Sequence, residues 1–223
     1  MRYLSLFSGV GGFEKGIQQA YEELYNANRG ENRGGEEDTQ GNEGQGFQPK
    51  EGKETRAEER PVSEYNNIIT NERPLCIGYS EIDKYAIQVY NKHFNHKNYG
   101  DITKINEKEL PDFDLLMAGF PCPSYSIAGK RLGLQDPRGE LIFDIIRIIK
   151  EKQPKIFLLE NVKGIISHDK GITMEIICEA LCECGYALDF EVLNSKNFGV
   201  AQSRERIFIV GLRLDTLPSD MVI

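Results

Sequence analysis

Residues Asp114 to Glu140 read DLLMAGFPCPSYSIAGKRLGLQDPRGE, and the fold turns on how that stretch divides. Leu115 to Ala118 is a short apolar run of the length a buried strand takes. It stops abruptly in Gly119-Phe120-Pro121-Cys122-Pro123, residues that mark a turn. The turn therefore sits at the carboxyl end of a strand, the edge at which open α/β sheets bind ligands. Pro121 and Pro123 each fix their own φ and stiffen the backbone around Cys122. A free cysteine is ordinarily a small buried hydrophobe. Cys122 is set apart by the next apolar run, KIFLLEN, which also ends in reactive side chains, Glu160 and Asn161. A purely structural cysteine would not require that coincidence.

Outward from this stretch the chain alternates strand and helix. Arg2 to Phe7 is an apolar-rich strand candidate, followed by Ser8-Gly9-Val10-Gly11-Gly12 and a helix candidate from Phe13 to about Tyr25. A strand, a glycine-rich turn and a helix make a ligand cradle, because the backbone approaches closely and the helix start offers free N–H groups. The spacing differs from the dinucleotide G-x-G-x-x-G pattern. Leu75 to Ser80 is the second strand and ends at Glu81-Ile82-Asp83. Glu81 is placed to accept hydrogen bonds from ribose hydroxyls. Asp83 suits the N-cap of a helix over Lys84 to Phe94, whose apolar positions recur at helical spacing. Arg138 to Lys152 and Gly171 to Cys184 are further helices; Lys155 to Leu159, Tyr186 to Asn194 and Arg206 to Leu214 are further strands. The expected fold is α/β, a mostly parallel sheet with helices on both faces.

Asn26 to Arg73 is different material, rich in Gly, Glu, Asn, Arg and Gln. Its Arg29 to Arg60 part is too polar to bury a core and is expected to be disordered. The expected organisation is a catalytic domain over 1–25 and 74–214, an insertion over 26–73, and a tail over 215–223. Net charge is −8, unhelpful for a phosphate-bearing partner. The insertion holds seven basic and eleven acidic residues, so the body is nearer neutral. No run reaches the roughly 18 apolar residues of a membrane span. Five cysteines without framework spacing point to a reducing compartment, and the expected location is cytoplasmic. His93 and His96, three apart, have no evident second ligand pair, and Cys178, Cys182 and Cys184 lack zinc spacing, so no metal is expected.

Five blocks stand in order: FSGVGG (Phe7 to Gly12), GFPC (Gly119 to Cys122), LxDxRGxL (Leu134 to Leu141), ENV (Glu160 to Val162) and QSRER (Gln202 to Arg206). Together they resemble the cytosine-5 DNA methyltransferase family. The resemblance implies a Rossmann-like class I S-adenosylmethionine-dependent methyltransferase fold. It implies that Phe7, Ser8, Gly9, Gly11 and Gly12 cradle S-adenosylmethionine, with Phe7 near the adenine, and that Asp101 accepts from the adenine amino group. Read without it, Asp101 is a cap for the short segment after Thr103. Ile82, Ile102, Pro121 and Leu141 fall along the same cradle, and Asn161 and Gln202 join the substrate side. The family usually has Gln where this chain has Pro123, which removes an amide and an N–H near the base.

The chemistry explains the residue types. Cytosine is a poor nucleophile at C5. A thiolate added at C6 makes C5 enamine-like, and Cys122 suits this because sulfur is strongly nucleophilic and can later leave. Charge then moves toward N3 and O2, where Glu160 and Arg206 would act, Arg204 supporting. Arg204 and Arg206 are two apart and so share a strand face; a solvated edge with salt bridges fits that spacing as well. The base must leave the duplex. Ser126 and Lys130, the latter as a simple cation, would touch the neighbouring phosphate. The expected partner is double-stranded DNA with a flipped cytosine. The blocks stop near Arg213, so a second polypeptide carrying the recognition domain, or a truncated product, is expected. A restriction-modification or phage-protection setting fits; a tRNA cytosine-5 methyltransferase and a non-catalytic binding fragment are the alternatives.

Overall fold

In a computed structural model of the chain, residues 1–31, 73–121 and 141–217 are described. Six strands are β1 (Arg2–Leu6), β2 (Leu75–Ser80), β3 (Leu115–Gly119), β4 (Ile156–Val162), β5 (Tyr186–Asn194) and β6 (Glu205–Arg213). Four α-helices are α1 (Gly12–Glu31), α2 (Lys84–His93), α3 (Leu141–Lys152) and α4 (Ile172–Glu183). The strand order is β2-β1-β3-β4-β6-β5. β2, β1, β3 and β4 run parallel, while β6 is antiparallel to β4 and β5. This is the expected α/β architecture. By contact the chain divides into two compact units, 1–17 with 74–223, and 18–73. α1 ends at Glu31, past the expected end near Tyr25. The remainder of the polar segment expected to be disordered lies outside the described residues.

Alternation along the strands explains the layers. Leu4, Leu6, Leu116, Ala118, Phe157, Leu159, Ile207 and Ile209 enter one cluster with Ile142, Ile145, Ile148 and Ile149 of α3 and Ile177 and Leu181 of α4. The isoleucines of α3 recur at the 3.6-residue period, so one stripe of the helix is buried. Tyr3, Ser5 and Met117 lie on the alternate positions and are buried as well. There Tyr79 of β2 stacks on Tyr90 of α2 at 3.8 Å between centroids. Asp83 caps α2 by accepting from the N–H groups of Tyr85 and Ala86. Gly211 faces Phe157 across the β4–β6 ladder, and a Cβ there would lie 2.1 Å from the Phe157 ring.

Three of the described cysteines are poor nucleophile candidates. Burial pushes the Cys76 thiol up to about 11 and raises Cys178 and Cys184 too. Cys182 is exposed.

Two outcomes are expected. Gly211→Ala should lower stability by about 1–3 kcal/mol through overpacking against Phe157, read as a shifted urea midpoint; an unchanged midpoint would refute the close packing. At about pH 8 a thiol of pKa near 11 is on the order of one part in a thousand thiolate, so iodoacetamide mapped by peptide mass should label Cys76 far more slowly than Cys182. Equal labelling rates would contradict its burial.

Candidate active site

The parallel register brings the carboxyl ends of β1, β2, β3 and β4 to one edge of the sheet. Four turns leave that edge, and each carries residues singled out by the sequence.

The turn after β1 is tight. Phe7 has φ of +55°, unusual for a residue with a side chain, and packs against the core. Gly9 and Gly11 have φ of +54° and +93°, which glycine adopts without strain. A Cβ on Gly9 or Gly12 would meet nothing within 4 Å, so the backbone there faces open space. Ser8 turns inward and its hydroxyl donates to the Ser5 carbonyl. At the end of β2, Glu81 accepts from the N–H of Gly9 at 2.9 Å and from those of Ile82 and Asp83 at 2.8 Å. Its carboxylate thus joins the glycine turn to the start of α2. Ile82 beside it is 72% exposed, an apolar chain held out over the turn.

Asp101 begins a short 3-10 turn and accepts from the Thr103 N–H and hydroxyl. The Thr103 hydroxyl, then its N–H, hold the Asp101 carboxyl below the usual carboxylate range. Asp101 therefore caps, the role its position alone suggested, with its other oxygen 3.8 Å from Lys104. Ile102 is buried in the core. Arg147 of α3 fastens this segment. It donates to the carbonyls of Ile102 at 3.0 Å and Ile105 at 2.8 Å, and pairs with Glu107 and Asp144. Leu141 at the start of α3 is half-buried against the core. Nothing in the local pattern signals Arg147, because a cation on a helix ordinarily reads as a solvated face.

β3 leaves the sheet through Phe120, which is buried, and Pro121, which is exposed. Cys122, Ser126 and Lys130 lie outside the described residues. Asn161 is 2% exposed; its Nδ2 donates to the Phe120 carbonyl at 3.2 Å and its Oδ1 accepts from the Val162 N–H. Its amide is occupied in holding the backbone that leads to Cys122. Glu160 lies beside Gly119 in the register.

Arg206 Nε meets Glu160 Oε1 at 2.9 Å. Phe208 is the direct partner of Glu160 on β6, so Arg206 reaches it diagonally. The pair lines a pocket of 390 Å³ with Arg204, Leu193, Phe198 and Phe208. Arg204 is exposed and anchored by its N–H to Asn194. Gln202 is exposed, its carbonyl accepting from Ser195. Phe198, 64% exposed, is a pocket residue that sequence reasoning missed. The signal was an aromatic without a core periodicity beside two arginines.

Among the described residues no group of three or more metal-binding side chains comes together, and no helix is long and apolar enough to cross a membrane.

Residues 69–220 match the model of the C-5 cytosine-specific DNA methylase family. The orphan methyltransferase M.SPRI of Bacillus phage SPR is 50% identical over 147 residues, 65% of this chain and 34% of that protein. The type II methyltransferase M.NgoBI of Neisseria gonorrhoeae is 54% identical over 139 residues, 62% of this chain and 44% of that protein. The crystal structure of the S. pombe Dnmt2 methyltransferase superposes with a TM-score of 0.59 at 19% identity, covering 96% of this chain and 51% of that one. The match thus spans about a third to under half of the length of these curated relatives. With the sheet, its edge and the match along residues 69–220 in agreement, the chain belongs to the C-5 cytosine-specific DNA methylase family.

Proposed function

We propose that this chain performs the methyl-transfer chemistry of a DNA cytosine-5 methyltransferase, acting on a cytosine turned out of a duplex. The observation that carries the reading is the Glu160–Arg206 ion pair in a pocket at the end of β4, beside the strand whose exit leads to Cys122.

The donor side is the turn after β1. Open space above Gly9 and Gly12, exposed apolar Ile82 and the acids Glu81 and Asp101 fit a nucleoside-bearing cation such as S-adenosylmethionine. Phe7, Ser8, Gly11, Ile102, Pro121 and Leu141 complete the set assigned to it. When bound, S-adenosylmethionine supplies an electrophilic methyl group to C5.

The remaining work belongs to side chains. The Cys122 thiolate adds to C6, and the electron pair of the C5–C6 double bond shifts toward N3 and O2. Glu160 hydrogen-bonds or protonates N3, and Arg206 stabilises the charge at O2, with Arg204 supporting. Pairing to Glu160 orients the Arg206 guanidinium before a base arrives. After methylation a water or hydroxide base takes the C5 proton, the C5–H electron pair re-forms the C5–C6 double bond, the Sγ–C6 pair leaves on Cys122 as thiolate, and aromaticity returns. Asn161, Gln202, Ser126 and Lys130 form the substrate side. DNA is the partner in this reading; the second polypeptide expected from the sequence enters as the source of base-sequence readout. The phage and bacterial relatives favour a phage-protection or restriction-modification setting in a cytoplasm.

A duplex carrying 5-fluorocytosine, incubated with the chain and S-adenosylmethionine, tests this, because the fluorine blocks proton loss and traps the adduct. An adduct stable to denaturing electrophoresis is expected with the wild type and none with Cys122→Ser. Absence of the adduct in both would refute the reading, as would equal amounts. Glu160→Gln is expected to slow adduct formation about 10²–10⁴-fold, and Arg206→Ala about 10²–10³-fold. Wild-type rates in either variant would remove that residue from the chemistry.

A further inference from the structure

Glu14, the third residue of α1, is completely buried. One oxygen accepts from the Tyr90 hydroxyl at 3.0 Å; the other meets no donor among the described residues. The same hydroxyl lies 2.9 Å from Nδ1 of His96. A phenol has one proton. Given to the carboxylate, it leaves the phenol oxygen to accept, so His96 presents Nδ1–H. Burial lowers the His96 pKa, which keeps the ring neutral near pH 7. The result is an ordered chain, His96 to Tyr90 to Glu14, tying α1 to the end of α2 and the residues that follow it, 76 positions on in sequence.

Each segment leads into the donor side of the sheet edge. Glu14 stands two residues after the glycine turn, whose Gly11 abuts the Tyr90 and Phe94 rings so closely that a Cβ would lie 2.5 Å from Phe94. Tyr90 belongs to the helix that Glu81, Ile82 and Asp83 introduce. His96 begins the strip that runs along the edge of β2, where Tyr79 and Lys97 to Tyr99 exchange backbone hydrogen bonds. Asn98 in that strip binds the N–H and carbonyl of Glu81 and the N–H of Gly100, next to Asp101.

We propose that Glu14, Tyr90 and His96 are positioning residues that set the glycine turn, the Glu81 turn and the Asp101 segment at the spacing the methyl donor requires; this rests on the donor-site reading above. A buried carboxylate is a costly way to fill a core. Its placement where three donor segments meet gives it a use that apolar packing would not provide.

The test must separate positioning from mere satisfaction of a buried charge. Tyr90→Phe keeps the ring and deletes the link, but also leaves Glu14 without its donor. Glu14→Met with Tyr90→Phe removes the carboxylate and its donor in similar shape, and half-buried His96 can turn its Nδ1–H to water, so the change is near neutral for stability. S-adenosylhomocysteine binding is measured by calorimetry, with thermal unfolding alongside, on the full chain. The expected result is a double variant that unfolds near the wild-type temperature yet binds about five- to tenfold more weakly, the effect of one lost hydrogen-bonded link. Wild-type affinity in the double variant would overturn the inference alone and leave the donor site standing. Failure of the wild type to bind would overturn the donor-site reading and the inference with it. If the double variant unfolds early, Glu14→Gln serves instead: it retains an acceptor for Tyr90, and affinity within about twofold of wild type supports the link. A tenfold loss in Glu14→Gln would overturn it.

Discussion

Gly119 and Glu160 lie opposite each other on neighbouring parallel strands, and the space beside the glycine is filled by the carboxylate it faces. A Cβ at 119 would lie 3.3 Å from Glu160 Oε2 and 3.5 Å from the Phe13 ring. The φ of Gly119 is unremarkable, so glycine is needed there for room. This close approach of β3, β4 and α1 decides much of what surrounds it. It holds Glu160 against the strand that leads to Cys122, and it keeps Phe13 beside the turn that ends at Gly12. A Cβ at 119 would press on the end of the Glu160 side chain, which would have to give by a few tenths of an ångström, while meeting Phe13 at ordinary contact distance.

The antiparallel end of the sheet completes the arrangement. A parallel strand beside β4 would have offered its carboxyl end to the same edge. β6 runs the other way and offers its amino end, so Arg206 arrives from the opposite direction and meets Glu160 diagonally. The hairpin with β5 then supplies the apolar wall of the pocket through Leu193 and Phe198. Burial of the pair is partial, with side chains 20% and 23% exposed. Such an ion pair contributes little to stability; its consequence is that a guanidinium is held ready beside an acid.

Strand and helix positions were legible because each apolar run is short and ends in turn residues. β2 and β5 begin and end where the alternation places them, and the isoleucine stripe of α3 reads directly from its period. The mutual position of Glu160 and the Arg204/Arg206 pair was suggested by block order and not by local pattern. What was not legible depends on long-range contact. Glu14 reads as a first-turn acid on an amphipathic helix, and nothing within α1 announces that Tyr90, 76 residues on, will bury it. Arg147 likewise reads as a surface cation until the carbonyls of Ile102 and Ile105 come into reach. Asp101 shows the reverse: a capping geometry visible in three consecutive residues coexists with an assignment that only the family resemblance suggested.

In the proposed reaction Cys122, Glu160 and Arg206 act on one base. A crystal structure of the chain covalently trapped on a 5-fluorocytosine duplex measures this most directly. The expected result is a bond from Cys122 Sγ to C6, Glu160 within hydrogen-bonding distance of N3, and Arg206 turned to O2. A base bonded to Cys122 with N3 facing solvent, or Glu160 still closed on Arg206 with no base between β3 and β6, would contradict the account.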